Sequence, residues 1–112
     1  MKQYFFEYDA LPVLPVQNNL FDVRFISTDN ITVAFNLLKK GAAVPLHEHL
    51  HETIDYVLEG ELEMTIDEET VLMQAGMVAR VPSHTPHSAR AASDCKVINI
   101  FYPVREDFGT TV

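Results

Sequence analysis

The chain has 112 residues, 47% of them apolar, which fits one domain with its own core and makes two independent domains untenable. Sixteen Asp and Glu against eight Lys and Arg set the net charge at −8, so polyphosphates and anionic lipid are repelled, and nucleic acid and membrane surfaces are poor partners. No apolar run approaches the roughly 18 residues of a spanning helix, no signal-peptide pattern follows Met1, and the single cysteine, Cys95, rules out an internal disulfide or a CxxC site.

These features predict a soluble, cytoplasmic protein. A domain this small hides only about two-thirds of its unfolded surface, so a homodimer is expected to cover the apolar face left over.

Taken in chain order, residues 1–30 form an N-terminal arm and a first strand. Within them Leu11-Pro12-Val13-Leu14-Pro15 reads as an extended arm, or as a segment packing across a partner subunit. Short alternating runs then recur at 23–27, 31–38, 54–58, 61–67, 70–73, 77–81, 87–91 and 96–102, separated by Gly, Pro, Asn or Asp. Leu62, Met64 and Ile66 share one face of a half-buried strand. Glu59-Gly60-Glu61 is expected to close a hairpin between 54–58 and 61–67, and Asp67-Glu68-Glu69 a second reversal. Many short strands at close spacing make the class all-β, a sandwich or barrel, with 31–102 as its body and 103–112 as a tail.

The five histidines fall in two clusters, His47, His49 and His51, then His84 and His87. In extended chain, residues i and i+2 point the same way, so His47 and His49 can offer imidazoles to one point while another strand delivers a third. Three neutral imidazoles suit a borderline divalent ion and leave positions for water or substrate. Cys95, with only Lys96 as a positive neighbour, reads as a structural thiol.

Gly41-x5-His47-x-His49 running on to Gly60, and Gly76-x5-Pro82 followed by His87, resemble the two motifs of the cupin superfamily. The resemblance implies an antiparallel β-barrel of the double-stranded β-helix, jelly-roll-like kind, often dimeric. Its lumen would hold one divalent transition metal (Zn, Ni, Mn or Fe) on His47, His49 and His87. The pattern's Glu or Gln ligand falls on Thr53, a poor ligand, while the adjacent Glu52 would point to the opposite face of a strand. A glycine of the second motif is replaced by His84, an extra candidate at the pocket mouth, and a late Asn by Ala91. His51 shares parity with the ligands, but the chain should by then be turning away.

The ending Asn99-Ile100-Phe101-Tyr102-Pro103-Val104-Arg105-Glu106-Asp107-Phe108 resembles the D-x-F-x-P-x-R-x-D-F ending of a cupin branch that includes the pectin-degradation cupins, which help convert 4,5-unsaturated uronates into open-chain keto forms. By position, the resemblance implies that Arg105 binds the substrate carboxylate and that Phe101 lines the sugar pocket. Tyr56 is a further lining candidate that also reads, with Met64 and Met73, as barrel filling. The acid-base Asp of that branch falls on Asn99, which hydrogen-bonds but carries no titrating proton, so proton transfer would fall to water or His84. The catalytic candidates are therefore Arg105, Asn99 and His84. Two other classes stand beside a uronate isomerase: a ligand-binding or sensing barrel without chemistry, and a three-histidine iron dioxygenase.

Overall fold

The computed structural model describes residues 3–16 and 18–109. Nine strands follow one another: β1 (Phe21–Ser27), β2 (Thr32–Leu38), β3 (Ala43–His47), β4 (Glu52–Glu59), β5 (Glu61–Ile66), β6 (Glu69–Gln74), β7 (Val78–Val81), β8 (His87–Ala91) and β9 (Cys95–Tyr102). They make two antiparallel sheets, one ordered β1-β2-β9-β4-β7 and the other β3-β8-β5-β6. This is the all-β jelly-roll architecture that the motifs imply, built as two facing sheets with no ladder closing them into a continuous barrel among the described residues.

Alternation decides what enters the space between the sheets. Val57, Leu62, Met64, Met73, Val81, Ala91 and Val97 form one buried cluster, and Val23, Phe25, Ala34 and Phe101 a second nearer the arm. On β5, Leu62 and Met64 are buried as expected, with Ile66 half-buried beside them. On β4, Thr53, Asp55 and Val57 point inward, while Ile54, Tyr56 and Leu58 point out. Tyr56 is thus neither barrel filling nor part of a pocket: it stands on the outer face, 40% exposed.

The expected hairpin across Gly60 does not form. β4 pairs with β7 and β9, whereas β5 pairs with β6 and β8 in the opposite sheet. Gly60 instead turns the corner between the sheets at φ +85, so close to the neighbouring chain that a Cβ would lie 2.1 Å from the Asp94 carbonyl oxygen. The reversal after β5 is a true hairpin, with Ile66 opposite Glu69 and Asp67 at φ 56, a left-handed conformation that Asp tolerates.

The arm lies along β1 of its own chain. Leu14 N–H donates to the Val23 carbonyl (2.8 Å) and Phe25 N–H to the Pro12 carbonyl (3.2 Å), around a bridge between Val13 and Arg24. Cys95 is a free, buried thiol whose Sγ donates to the carbonyls of Glu61 (3.0 Å) and Ser93 (3.1 Å), and burial pushes its pKa up, as a structural thiol requires. Among the described residues no helix is long and apolar enough to cross a membrane.

Candidate functional site

β3 is the strand that the sequence pattern left as merely extended chain, and it carries the first metal-type ligand. Its ladder with β8 slips between Val44 and His47 and ends on the pair His47–His87. The slip is a local irregularity that re-aims a side chain at the end of a strand. His49 follows in the loop, tied down by the turn of the second motif. His84 N–H donates to the His49 carbonyl (2.8 Å), and Ser83 Oγ donates to the Leu50 carbonyl (2.6 Å).

His47, His49 and His87 therefore meet: one nitrogen from each lies within 4.8 Å of the other two. Each Nδ1 sits 2.8 Å from a backbone carbonyl, of Pro45, His51 and Thr85 respectively. A carbonyl only accepts, so Nδ1 is the donor in all three rings, and in the neutral imidazole Nε2 then keeps its lone pair. That tautomer, fixed by a partner behind the ring, is the one a metal ligand needs. Burial lowers the pKa of His49 and of His87, which favours the neutral form. The donor set thus fits a borderline divalent ion.

The three rings open into a cavity of about 290 Å³ between the sheets, walled by apolar groups such as Leu14, Val23, Leu62 and Met64. Its polar lining is short. Thr53 stands where the pattern's fourth ligand falls, and its buried Oγ1 has no hydrogen-bond partner. Glu52 is exposed on the other face of β4.

Phe101 and Arg105 line the same cavity. The Arg105 guanidinium lies over Phe101 (4.7 Å) and Phe108 (4.3 Å) and donates through Nε and Nη2 to Asp107 (2.9 and 2.7 Å). These bonds use two of five N–H donors. The pair also holds the Asp107 carboxyl below its ordinary value. Arg105 is anchored at its backbone as well, where its N–H donates to Thr32 Oγ1 (2.9 Å).

His84 and His51 do not join the cluster. His84 is exposed at φ 58 in the turn, and what it contributes is the backbone bond that holds His49. His51 donates from Nε2 to the Val104 carbonyl (3.3 Å) and lies edge-on to Phe101.

A carboxylate in the lumen escaped the sequence reading. Asp55, 5% exposed, lines the cavity opposite Asn99 in the β4–β9 ladder and accepts a 2.6 Å hydrogen bond from Asn99 Nδ2. Asn99 Oδ1 in turn accepts from Asn36 Nδ2 (2.6 Å). Burial pushes the Asp55 carboxyl up to about 6, against the downward pull of the Asn99 bond. The signal was available: Asp55 has the parity of Thr53, two residues away.

Residues 35–101 match the family described as Cupin_2, cupin domain. A stretch of 56 residues, 48% of the chain, is 50% identical to part of quercetin 2,3-dioxygenase from Bacillus subtilis (strain 168), of whose length the match spans only 16%. Among solved structures, an RmlC-like cupin from Shewanella frigidimarina NCIMB 400 superposes with TM-score 0.87 at 25% identity, over 96% of each chain. KdgF from Halomonas sp. superposes with TM-score 0.84 at 28% identity, over 93% of this chain and 98% of that one. With a family match over more than half of its length, and three imidazoles converging where the family's motifs meet, the chain belongs to the cupin family.

Proposed function

We propose that this cupin binds a divalent transition metal on His47, His49 and His87 and takes an anionic, sugar-like ligand into its lumen, with ring opening of 4,5-unsaturated uronates as its activity. The observation that carries the reading is the pairing of three Nε2 lone pairs with Arg105 in one apolar cavity. The ending shared with the pectin-degradation branch and the likeness to KdgF along almost the whole chain support it.

Arg105, clamped by two aromatic rings, offers a planar donor edge to the uronate carboxylate. Phe101 gives the sugar ring an apolar face, and the arm at Leu14 helps to keep water from the opposite wall. Asn99 orients a ligand hydroxyl, since it can both donate and accept. When bound, the metal supplies Lewis acidity that favours charge developing on a ligand oxygen. His84, on its exposed turn, is at most a group of the pocket mouth.

Incubating Zn-, Ni- or Mn-loaded protein with an unsaturated galacturonate monomer should abolish the ultraviolet absorbance of its C4=C5 bond. Unchanged absorbance with metal bound would leave a binding or sensing barrel without chemistry. A second reading, an iron dioxygenase, is favoured by the local identity to quercetin 2,3-dioxygenase. Oxygen uptake by the iron-loaded protein with a flavonol would establish it, and a flat electrode trace would remove it.

A homodimer is part of the proposal, supported by the outer face of the larger sheet. There Ile54 lies opposite Ile100, and Tyr56 opposite both Ile98 and Val78. A cytoplasmic location is also part of it, supported by a lone cysteine kept as a free thiol.

A further inference from the structure

Position 99, where the related branch carries its acid-base Asp, is an amide here, yet the cavity is not without a carboxylate. Asp55 stands directly across the β4–β9 ladder from Asn99, on the lumen side, and the two side chains are bonded at 2.6 Å. In this chain the lumen carboxylate thus stands on β4, bonded to the amide on β9.

The bond has a direction. Asn99 Nδ2 donates to Asp55 Oδ1, and Asn99 Oδ1 is held by Asn36 Nδ2, which also donates to the Val97 carbonyl (3.1 Å). The amide is thereby locked with its donor toward Asp55. One carboxyl oxygen, Oδ1, is satisfied by this bond. Across the ladder on its other side Asp55 faces Ala79, and Arg80, the charged residue of β7, lies opposite the outward-facing Ile54, so β7 brings no charge to the lumen side. The titratable and charged groups that share its cavity are His47, His49, His87 and Arg105, and Asp55 is the one carboxylate among the described lining residues.

We infer that Asp55, positioned by Asn99 and Asn36, is the group that takes a proton from a hydroxyl of the lumen ligand and returns it to the ligand's carbon skeleton. The inference rests on the proposed uronate reading and assigns its proton transfer. The Asp55 carboxylate accepts the proton of the anomeric hydroxyl. The O–H electron pair becomes the C1=O bond, and the C1–ring-oxygen bond breaks with its pair on that oxygen, leaving an enolate across C4 and C5. Asp55, now a carboxylic acid, gives the proton to C4 as C5=O forms. The result is an open-chain isomer with no oxidant or reductant consumed. Burial, which raises the carboxyl's pKa toward neutrality, matches a group that must both accept and give up a proton near neutral pH.

The test uses zinc-loaded full-length protein, unsaturated galacturonate monomer, Asp55→Asn, and the transposed pair Asp55→Asn with Asn99→Asp. Asp55→Asn should lose about 100-fold or more in kcat with KM and zinc content little changed, a loss in the range of general acid-base catalysis. The transposed pair should recover at least tenfold of that, roughly, if a carboxylate on either strand serves. An Asp55→Asn protein within about threefold of wild-type kcat overturns the assignment while leaving the uronate reading intact.

An inactive wild type sinks the uronate activity instead, and Asp55 is then decided by a second readout. The carbon NMR signal of its carboxyl, identified by its loss in Asp55→Asn, is titrated with and without saturating D-galacturonate. A midpoint raised by about half a unit or more places the carboxyl against the bound anion. An unmoved midpoint, or no galacturonate binding at all, overturns the proposal.

Discussion

At the scale of single residues, β4 shows how one parity error hides a site. Reading Thr53 as inward and Tyr56 as lumen-facing is inconsistent in a period-two strand, and the structure resolves it in favour of Thr53, Asp55 and Val57. Asp55 then carries a stability cost with a defined pH dependence. Its folded-state pKa of about 6 exceeds the ordinary 3.8, so the folded protein holds more protons than the unfolded chain between these values, and stability falls as pH rises through them. A difference of about 2 units corresponds to on the order of 3 kcal/mol. Asp55→Asn is expected to be more stable than wild type at pH 8 by up to that amount, the advantage shrinking toward pH 4. Denaturant melts at several pH values check this, and a gap that does not vary with pH would contradict the raised pKa. His47, His49 and His87 behave differently, because each serves the cluster rather than the core. A His47→Ala, His49→Ala double variant should lose well over about 100-fold in metal affinity, read by elemental mass spectrometry after dialysis against buffered zinc.

At the scale of elements, two glycines that look alike in the motifs differ in the fold. Gly60 and Gly76 both have positive φ, but only Gly60 has backbone pressed against the place of a Cβ. Gly60→Ala is expected to cost at least about 2 kcal/mol, left-handed strain plus displacement of the Asp94 carbonyl. Gly76→Ala, with open space around it, should cost only the conformational term of about 1 kcal/mol. Thermal melts should separate them by roughly 5 °C or more in a domain of this size; equal losses would mean that the corner between the sheets relaxes freely. The same corner explains the failed hairpin. A glycine reversal signals a change of direction, and whether the next strand pairs with the last one or crosses to the facing sheet is settled by the partners waiting there, β9 and β8.

At the scale of the whole molecule, the proposed metal and the proposed second subunit are the terms that local contacts would not supply. A ligand held at about 100 times its Kd adds about 2.7 kcal/mol to the folded state, so zinc should raise the Tm by roughly 10 °C and a chelator should reverse it. No shift for any divalent ion would count against the three-histidine centre. The proposed dimer is tested on the outer sheet face, where Tyr56, Ile54 and Ile100 remain exposed at 40%, 38% and 40%. Tyr56→Glu should convert a dimer to a monomer in sedimentation equilibrium with the fold intact by circular dichroism. A wild type that sediments as a monomer would remove that part of the proposal.

The all-β class, most of the strands and the chance for His47 and His49 to share one point were legible in the residues alone, because alternation and the His-x-His spacing are local properties carried by neighbours in the chain, whereas His87 joined them through the motif resemblance. The placement of Phe101 and Arg105 at one cavity agrees with what the resemblance of the tail implies. What only the folded chain decided is which distant groups became neighbours. Asp55 and Asn99 lie 44 residues apart and meet through strand register. The turn at His84 holds His49 through a backbone bond rather than through its imidazole. The arm became a wall of the lumen. Register and sheet membership arise from the joint packing of all nine strands, and no local pattern encodes them.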